Sequence, residues 1–290
     1  MSGDNSRPRL STETLDRLPR EVVRPDYDRS AQAVGHVHFG IGAFHRAHQA
    51  IYSDAAMTFG DRDWAIAGIS LRTATVPRQM NPQDGLYTLI ERGAEGERLQ
   101  IIGSVDTVLD GREQAEAIEE AIAAASTRLL SFTITEKGYV RGLDGTLDFA
   151  SAAIRNDLDP SHAPLTVYGH LRRAFVRRRA AGRAGLTLLS CDNLAANGTV
   201  LFENLMAFLE ACDPELARWF AAECSCPSTM VDRIVPATTD ADRANLAVLT
   251  GVHDAAAVVA EPFRQWVIED RFANERPPSE LAGAERVTDV

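Results

Sequence analysis

The chain has 290 residues, 45% of them hydrophobic, which is enough for a buried core in one large or two modest domains. Its formal net charge of −11 argues against nucleic acids and anionic membranes as partners, because both require neutralisation of phosphate charge. No apolar run approaches the roughly 20 residues that span a bilayer, and segment 1–20 lacks an apolar signal sequence. The four cysteines form no Cys-x-x-Cys pair, so we expect reduced thiols and a cytoplasmic protein.

The residue pattern of the chain predicts an N-terminal arm followed by an α/β domain. Residues 1–33 are predicted to form the arm, with a short helix after Ser11, and residues 34–290 are predicted to form the globular domain. The hydrophobic pattern then alternates in chain order: strand 34–39, helix 44–59, strand 64–71. This βαβ order favours a doubly wound, mostly parallel sheet with helices on both faces.

One hairpin interrupts this alternation. Apolar stretches at 86–91 and 99–102 flank a turn at 93–96, which predicts a hairpin inserted into the domain. The later predicted elements are helix 113–125, strand 129–135, helix 166–181, strand 186–191, a helix through Leu201, Leu205 and Phe208, a helix capped by Asp213, and apolar stretches 230–235 and 258–268. The α/β alternation therefore resumes after the hairpin.

Segment 37–48 is an apolar strand that breaks at two glycines and continues as a helix. Gly40 would let the backbone turn sharply off the strand, and Gly42 would let a phosphate approach the main chain. The helix start would offer free N–H groups to that anion. An ordinary strand-to-helix turn is the alternative. His45 occupies the position where the glycine fingerprint has a small residue, so we expect looser packing of helix on strand.

Polar residues follow three later strands of the predicted sheet. They are Glu136 and Lys137, then Asp192 and Asn193, and then Asp232 with Arg233, which lie within the last of these apolar segments. Ligands of doubly wound sheets bind at the carboxyl ends of the strands, so these residues are candidates for a site. The alternative is that Glu136 with Lys137, and Asp232 with Arg233, form structural ion pairs or caps.

Metal and nucleic-acid sites have weaker support. His45 and His48 lie three residues apart, but a helix N-terminus disfavours a cation and no third ligand has suitable spacing. Cys224 and Cys226 would need two more ligands to hold zinc. The arginine cluster at 172–179 is typical of a solvated helix face. We predict no metal site and no nucleic-acid partner.

Six motifs in order resemble those of the mannitol dehydrogenase family, which includes mannitol 2-dehydrogenases and fructuronate reductases. They are Pro25-Asp26-Tyr27-Asp28-Arg29, the segment 40–48, Thr135-Glu136-Lys137-Gly138-Tyr139, Ser190-Cys191-Asp192-Asn193 with Asn197-Gly198, Met230-Val231-Asp232-Arg233-Ile234, and Gln265-Trp266-Val267-Ile268-Glu269-Asp270. The resemblance implies a Rossmann-like amino-terminal domain that binds NAD(H). It also implies a helical carboxy-terminal catalytic domain with the active site between the two.

The resemblance also assigns roles to residues. The implied cofactor-binding residues are Gly40, Ile41, Gly42, Ala43, Phe44, Arg72, Glu136 and Lys137. Asn193 would help hold the reacting oxygen and stabilise developing alkoxide charge, and Asp232 would accept hydrogen bonds from substrate hydroxyls. The second strand ends without a carboxylate for the ribose, whereas Arg72 there could meet a 2′-phosphate. NAD is the predicted cofactor, with NADP open.

Members of this family move a hydride between nicotinamide and a carbinol or keto carbon of an open-chain sugar acid (fructuronate/mannonate) or polyol (mannitol/fructose). Runs 82–89 and 261–266 resemble fructuronate reductases more than mannitol dehydrogenases. The family's general base is a lysine followed by an asparagine and a histidine on one helix of the second domain. These 290 residues lack that segment, and Lys137, their only lysine, belongs to another motif.

We therefore expect this polypeptide to bind cofactor without efficient turnover. The alternative is a truncated, catalytically inactive nucleotide-binding module. An exposed apolar face, where a second domain would dock, would support that alternative and would favour self-association.

Overall fold

A computed structural model describes residues 7–290, so positions 1–6 of the predicted arm lie outside the described residues. The strands are β1 Val34–Phe39, β2 Ala65–Ser70, β3 Tyr87–Gly93, β4 Gly96–Ile102, β5 Val105–Asp110, β6 Leu129–Phe132, β7 Thr187–Ser190, β8 Thr229–Asp232, β9 Val258–Ala260, β10 Gln265–Glu269 and β11 Glu285–Val287. The α-helices are α1 Ala43–Ala47, α2 Gln49–Thr58, α3 Thr75–Met80, α4 Ala115–Ala123, α5 Ala152–Leu158, α6 Val167–Ala180, α7 Asn197–Cys212, α8 Pro214–Glu223 and α9 Asp240–Thr250. Short 3₁₀ helices span Thr12–Arg17, Arg29–Ala31, Asn81–Gln83, Glu136–Tyr139 and Ser279–Ala282.

The central sheet has five parallel strands in the order β5-β2-β1-β6-β7. When only these five strands are counted in chain order, their order across the sheet is 3-2-1-4-5, which is that of the Rossmann fold. Phe39 at the end of β1 pairs with Ile69 of β2 and with Phe132 of β6. The carboxyl ends of the middle strands therefore meet at one edge, and the predicted doubly wound α/β fold is confirmed.

Two small sheets flank the central one. The predicted hairpin is confirmed as β3 and β4, and β9 joins it in parallel. The second small sheet has the order β11-β10-β8. The apolar stretch predicted at 258–268 is thus divided between the two small sheets, because residues 261–264 leave the first sheet before β10 enters the second.

Side-chain alternation along β1 separates two different interiors. Val37 and Phe39 face the core built with α4, α6, α7 and α8, where Phe39 stacks on Phe132 with ring centroids 5.4 Å apart. His36 and His38 face the opposite side, beneath α1 and α2, where His38 stacks on His45. One face of this strand is therefore apolar and the other carries fully buried imidazoles.

The predicted helix 44–59 is wrong in one respect. It is two helices, because His48 between α1 and α2 leaves the helical conformation with φ −132° and ψ −90°. Helices α3, α5 and α9 and strands β5 and β11 were not predicted from the sequence. A local signal was present for α9, whose N-cap Thr239 exchanges hydrogen bonds with Asp242 in a capping box.

Residues 7–33 pack against the hairpin. Leu10, Leu18 and Val22 are buried in one apolar cluster with Leu86 and Ile101. The division of the chain at residue 34 stays a prediction. Across residues 7–290, no helix is long and apolar enough to cross a membrane.

Candidate functional site

The glycine turn after β1 is tightly fitted on one side and open on the other. Gly40 has φ +99°, a region that favours glycine, and a Cβ there would overlap the carbonyl oxygen of Thr133. At Gly42 the nearest atom to an added Cβ would be the carbonyl oxygen of Gly40, 3.7 Å away. Helix α1 begins directly afterwards at Ala43. The backbone is thus exposed at Gly42, where a phosphate would approach.

Two clefts adjoin at this turn, because Gly40, Gly42, Thr133 and Thr135 line both of them. The smaller cleft, of about 290 Å³, lies at the carboxyl end of β2 and contains Arg72. The larger cleft, of about 660 Å³, extends toward β7 and β8 and adds Ala43, Phe44, Cys191, Asp192, Asn193, Met230, Val231, Asp232 and Arg233. Together they form one groove across the carboxyl edge of the sheet, which we call the edge groove.

The predicted cofactor residues have different positions relative to the edge groove. Ile41 is buried, and its side chain packs on Gly68, where a Cβ would lie only 2.8 Å away. Phe44 is half-buried and stacks on His48 with centroids 5.2 Å apart. Arg72 is exposed and lines the smaller cleft.

Glu136 and Lys137 lie just outside the edge groove. They are exposed on the 3₁₀ turn that follows Thr135 and line a neighbouring cleft with Arg141. Thr135 and Gly138, on either side of them, do line the groove. Their role as cofactor residues stays a prediction.

Asn193 and Asp232 reach the larger cleft from different parts of the chain, and both are exposed there. A buried side chain, Asn197, joins the two segments. Its amide donates hydrogen bonds to the carbonyl oxygens of Asp192 at 3.0 Å and Thr229 at 2.8 Å. It also accepts one from the Thr229 N–H at 2.9 Å. Asn197 therefore fixes the end of β7 against β8; its place in a motif was noted but its role was not predicted.

Asp192 makes a second junction, between β7 and the segment after β6. Its carboxylate accepts hydrogen bonds from the N–H groups of Ile134 at 3.1 Å and Thr135 at 2.9 Å, and from the Tyr139 hydroxyl at 2.9 Å. That hydroxyl also contacts Oγ of Ser190. Burial raises the pKa of Asp192, although these hydrogen bonds favour its charged form. The role of Asp192 in joining β7 to the segment after β6 was not predicted from the sequence, because the catalytic role was assigned to the neighbouring Asn193.

We expect Asp192→Asn to lower the free energy of unfolding by about 1–3 kcal/mol. Three donors converge on the carboxylate, and an asparagine amide would turn its NH₂ group toward at least one of them. Urea unfolding at neutral pH measures this loss. Asp106→Asn is the matched control, since Asp106 is exposed on β5. Equal stability of the two variants would contradict the junction.

Arg233 does not pair with Asp232, so that part of the alternative from the sequence is wrong; its ion pair is with Glu91. Its fully buried guanidinium contacts Oε1 of Glu91 at 2.6 Å and donates to the carbonyl oxygens of Ala47 at 2.6 Å and Glu261 at 2.9 Å. It ties the end of β8 to α1 and the hairpin, which leaves the Asp232 carboxylate facing the groove.

His45 and His48 point to different neighbours. The His45 ring stacks on His38 at 3.4 Å between centroids, and Nε2 of His48 lies 2.7 Å from the carbonyl oxygen of Gln265. Within residues 7–290, no three His, Cys, Asp or Glu side chains converge as ligands for a metal ion.

The geometry fits a dinucleotide. Gly42 leaves the main chain open, Arg72 lines the smaller cleft just after β2, and Asn193 lines the larger cleft. Rossmann domains hold the ribose of a dinucleotide near the end of the second strand. The fold and the edge groove together define a Rossmann-type nucleotide-binding domain.

Comparison with known proteins specifies the family. The family model for the mannitol dehydrogenase Rossmann domain matches residues 34–281. The chain therefore belongs to the mannitol dehydrogenase family, as its motifs predicted.

Relatives of this chain include several named dehydrogenases. Mannitol 2-dehydrogenase of Pyricularia oryzae is 42% identical over 97% of this chain and 58% of its own length. D-mannonate oxidoreductase of Escherichia coli is 40% identical over 97% and 58% of the two chains. The solved ternary complex of Pseudomonas fluorescens mannitol 2-dehydrogenase with NAD and D-mannitol superposes with a TM-score of 0.93 at 40% identity, over 97% and 58%. The chain thus spans under two thirds of the length of these relatives.

Proposed function

We propose that this chain is the NAD-binding part of an oxidoreductase acting on an open-chain sugar acid or polyol. The observation that carries the proposal is the edge groove, which runs without interruption from the glycine turn to Asn193 and Asp232. The relative solved with NAD and D-mannitol supports it, since it shares this fold.

The chemistry follows from the groups at the far end of the groove. When bound, NAD(H) supplies or accepts the hydride. The Asn193 side-chain amide donates a hydrogen bond to the reacting oxygen and stabilises alkoxide charge as it develops. The Asp232 carboxylate accepts hydrogen bonds from neighbouring substrate hydroxyls, which selects for polyhydroxylated chains.

The choice between NAD and NADP depends on the end of β2. Arg72 is exposed there and could pair with a 2′-phosphate, whereas the relatives that support the proposal include an NAD complex. We propose NAD. Fluorescence titration of the chain with NADH and NADPH is the test, and clearly tighter binding of NADPH would refute the choice.

The Gly42→Ala variant tests the location of the pyrophosphate. The added Cβ meets no atom closer than 3.7 Å, so the variant should fold with a loss of at most about 1 kcal/mol at the helix cap. The methyl group would occupy the open face of the turn, so we expect NADH affinity to fall about tenfold. Affinity and urea unfolding are measured together. Unchanged NADH affinity in a folded variant would place the pyrophosphate elsewhere.

For the substrate we propose a sugar acid such as fructuronate or mannonate, supported by the D-mannonate oxidoreductase relative, with mannitol or fructose as the second candidate.

We further propose that these 290 residues alone bind cofactor without efficient turnover. Their only lysine, Lys137, lies outside the edge groove, so no lysine here is placed to accept the alcohol proton. Polyol or sugar-acid oxidation by the purified chain at an ordinary enzymatic rate would refute this.

Two broader expectations remain proposals. All four cysteines are free thiols, which is consistent with a reducing compartment such as the cytoplasm. Met230 and Ile234, on either side of Asp232, are 39% and 65% exposed. Such apolar side chains beside the groove support a docking or self-association face, which sedimentation velocity can examine.

A further inference from the structure

A continuous line of buried polar side chains runs beneath the glycine turn, between the central sheet and α2. Oγ of Ser53 lies 3.3 Å from Nδ1 of His36, and Nε2 of His36 lies 2.5 Å from Oγ of Ser131. Nδ1 of His38 lies 2.6 Å from the same Ser131 oxygen. All four residues are at most 4% exposed. The line then continues to Thr133 and Gly40.

The Gly40 carbonyl oxygen at the end of this line determines which group is the donor and which the acceptor in every hydrogen bond along it. The Thr133 hydroxyl donates to the carbonyl oxygen of Gly40 at 2.8 Å, since a carbonyl can only accept. Nε2 of His38 lies 2.9 Å from the Thr133 oxygen and 3.3 Å from the Gly40 oxygen, so this nitrogen must carry the proton.

The remaining protons follow by the same argument. Nδ1 of His38 is then bare and accepts from the Ser131 hydroxyl. The Ser131 oxygen accepts from a protonated Nε2 of His36, whose bare Nδ1 accepts from Ser53. Five hydrogen bonds thus point in one direction, from Ser53 to the Gly40 carbonyl.

We propose that this line, the histidine relay, positions the glycine turn for the cofactor, with His38 and Ser131 as positioning residues behind Thr133. In the observed conformation of Gly40, with φ +99°, its carbonyl contacts both Thr133 and His38 while Gly42 stays open. Aligned hydrogen bonds in a buried setting polarise one another, so each strengthens the hold on that carbonyl. The inference rests on the proposed function, because it concerns NAD binding.

The protonation states of the rings are consistent with the relay. Burial lowers the pKa of His36 to about 3 and that of His38 well below its usual range, so both rings are neutral at pH 7. A charged ring would have two N–H groups and no acceptor, which would interrupt the line.

The direction of the relay can be tested on the unmodified chain. Two-dimensional ¹H–¹⁵N NMR of the histidine rings distinguishes protonated from bare nitrogens. We expect neutral Nε2–H tautomers for His36 and His38 at pH 7, and a change in the His38 ring resonances when NADH is added. An Nδ1–H tautomer or a charged ring at His38 would overturn the inference, whether or not NADH binds.

The effect on the cofactor can be tested with Ser131→Ala, which interrupts the relay at a residue that does not line the groove. We expect NADH affinity to fall about fivefold, the size of one hydrogen bond. Thr88→Val is the matched control. Its buried hydroxyl on β3 makes no hydrogen bond within the described chain, so its NADH affinity should be unchanged.

A double-mutant cycle separates transmission through Thr133 from general loosening. If Ser131 acts through Thr133, the loss in the Ser131→Ala, Thr133→Val double variant will be smaller than the sum of the single losses. Additive losses would overturn the relay, and so would a Ser131→Ala variant that is less stable but binds NADH normally. Failure of the unmodified chain to bind NADH would instead refute the proposed function.

Discussion

Gly40→Ala is expected to abolish measurable NADH binding and to lower the free energy of unfolding by about 3 kcal/mol or more. Two effects add at this position. The backbone has φ +99°, which alanine adopts only with strain, and the new Cβ would overlap the carbonyl oxygen of Thr133. Because that oxygen belongs to the backbone, relief requires the turn itself to move. NADH titration and urea unfolding measure the two consequences.

Gly60→Ala is the control that isolates the conformational strain. Gly60 has φ +90°, close to that of Gly40, but a Cβ there would have no atom within 4 Å. It lies just after α2, outside the edge groove. We expect about 1–2 kcal/mol of destabilisation with unchanged NADH affinity. Equal losses of stability in the two variants would show that the contact with Thr133 is unimportant.

The second large effect is a loss of stability in mild acid. Burial keeps the histidines of the core uncharged by lowering their pKa, to about 3 for His36 and about 4 for His48 and His170. Burial also lowers the pKa values of His38 and His45 well below 6.5. In the unfolded chain all five return to about 6.5.

These shifts predict the sign of the pH dependence. Below about pH 6.5 these histidines take up protons in the unfolded chain but not in the folded chain. The free energy of unfolding that they contribute is therefore complete above about pH 6.5 and is lost as the pH falls toward 4. Each histidine contributes about 1.4 kcal/mol per pH unit once the pH is well below 6.5. Asp54 acts in the opposite direction, because burial raises its pKa to about 6, and so does Asp192. Because five histidines lower the free energy of unfolding as the pH falls and only two carboxyl groups raise it, the net effect of acid is a loss of stability.

We expect the free energy of unfolding to fall by roughly 3–5 kcal/mol between pH 7 and pH 5.5. Urea unfolding at several pH values measures it. His45→Leu should reduce the slope by about one proton, since it removes one buried imidazole and leaves an apolar side chain in its place. A stability that stays level or rises over this range would contradict the assignment of neutral buried histidines.

The sequence predicted the elements that have a local cause. Strands 34–39 and 64–71, the hairpin and the helix capped by Asp213 follow from periodicity and capping, which depend on neighbours a few residues away. The helix 44–59 was predicted without its break at His48, since no proline or glycine marks that break. Strand β5 was missed because its pairing with β2 is a tertiary contact.

The residue types of the candidate site were predictable from the sequence, but the contacts among them were less so. Gly40, Gly42 and Asn193 were identified from their positions after strands, and the structure places them in one groove. Asp192 and Asn193 both line that groove, and which of the two is held by donors of the protein itself was not predictable. Asp192 turns inward to three donors while Asn193 stays exposed, and the choice depends on where Ile134, Thr135 and Tyr139 lie.

By itself, the sequence determined the alternation of strands and helices, the glycine turn and the family. The periods of 2 and 3.6 residues and the linked motifs can be read directly from the chain. Only the tertiary structure decided that Arg233 pairs with Glu91, 142 residues away, and that His36, Ser131 and His38 align beneath Gly40. These partners come from distant parts of the chain that meet only when the sheets assemble. In a buried interior each polar group must find such a partner, so the fold, and not the local pattern, selects it.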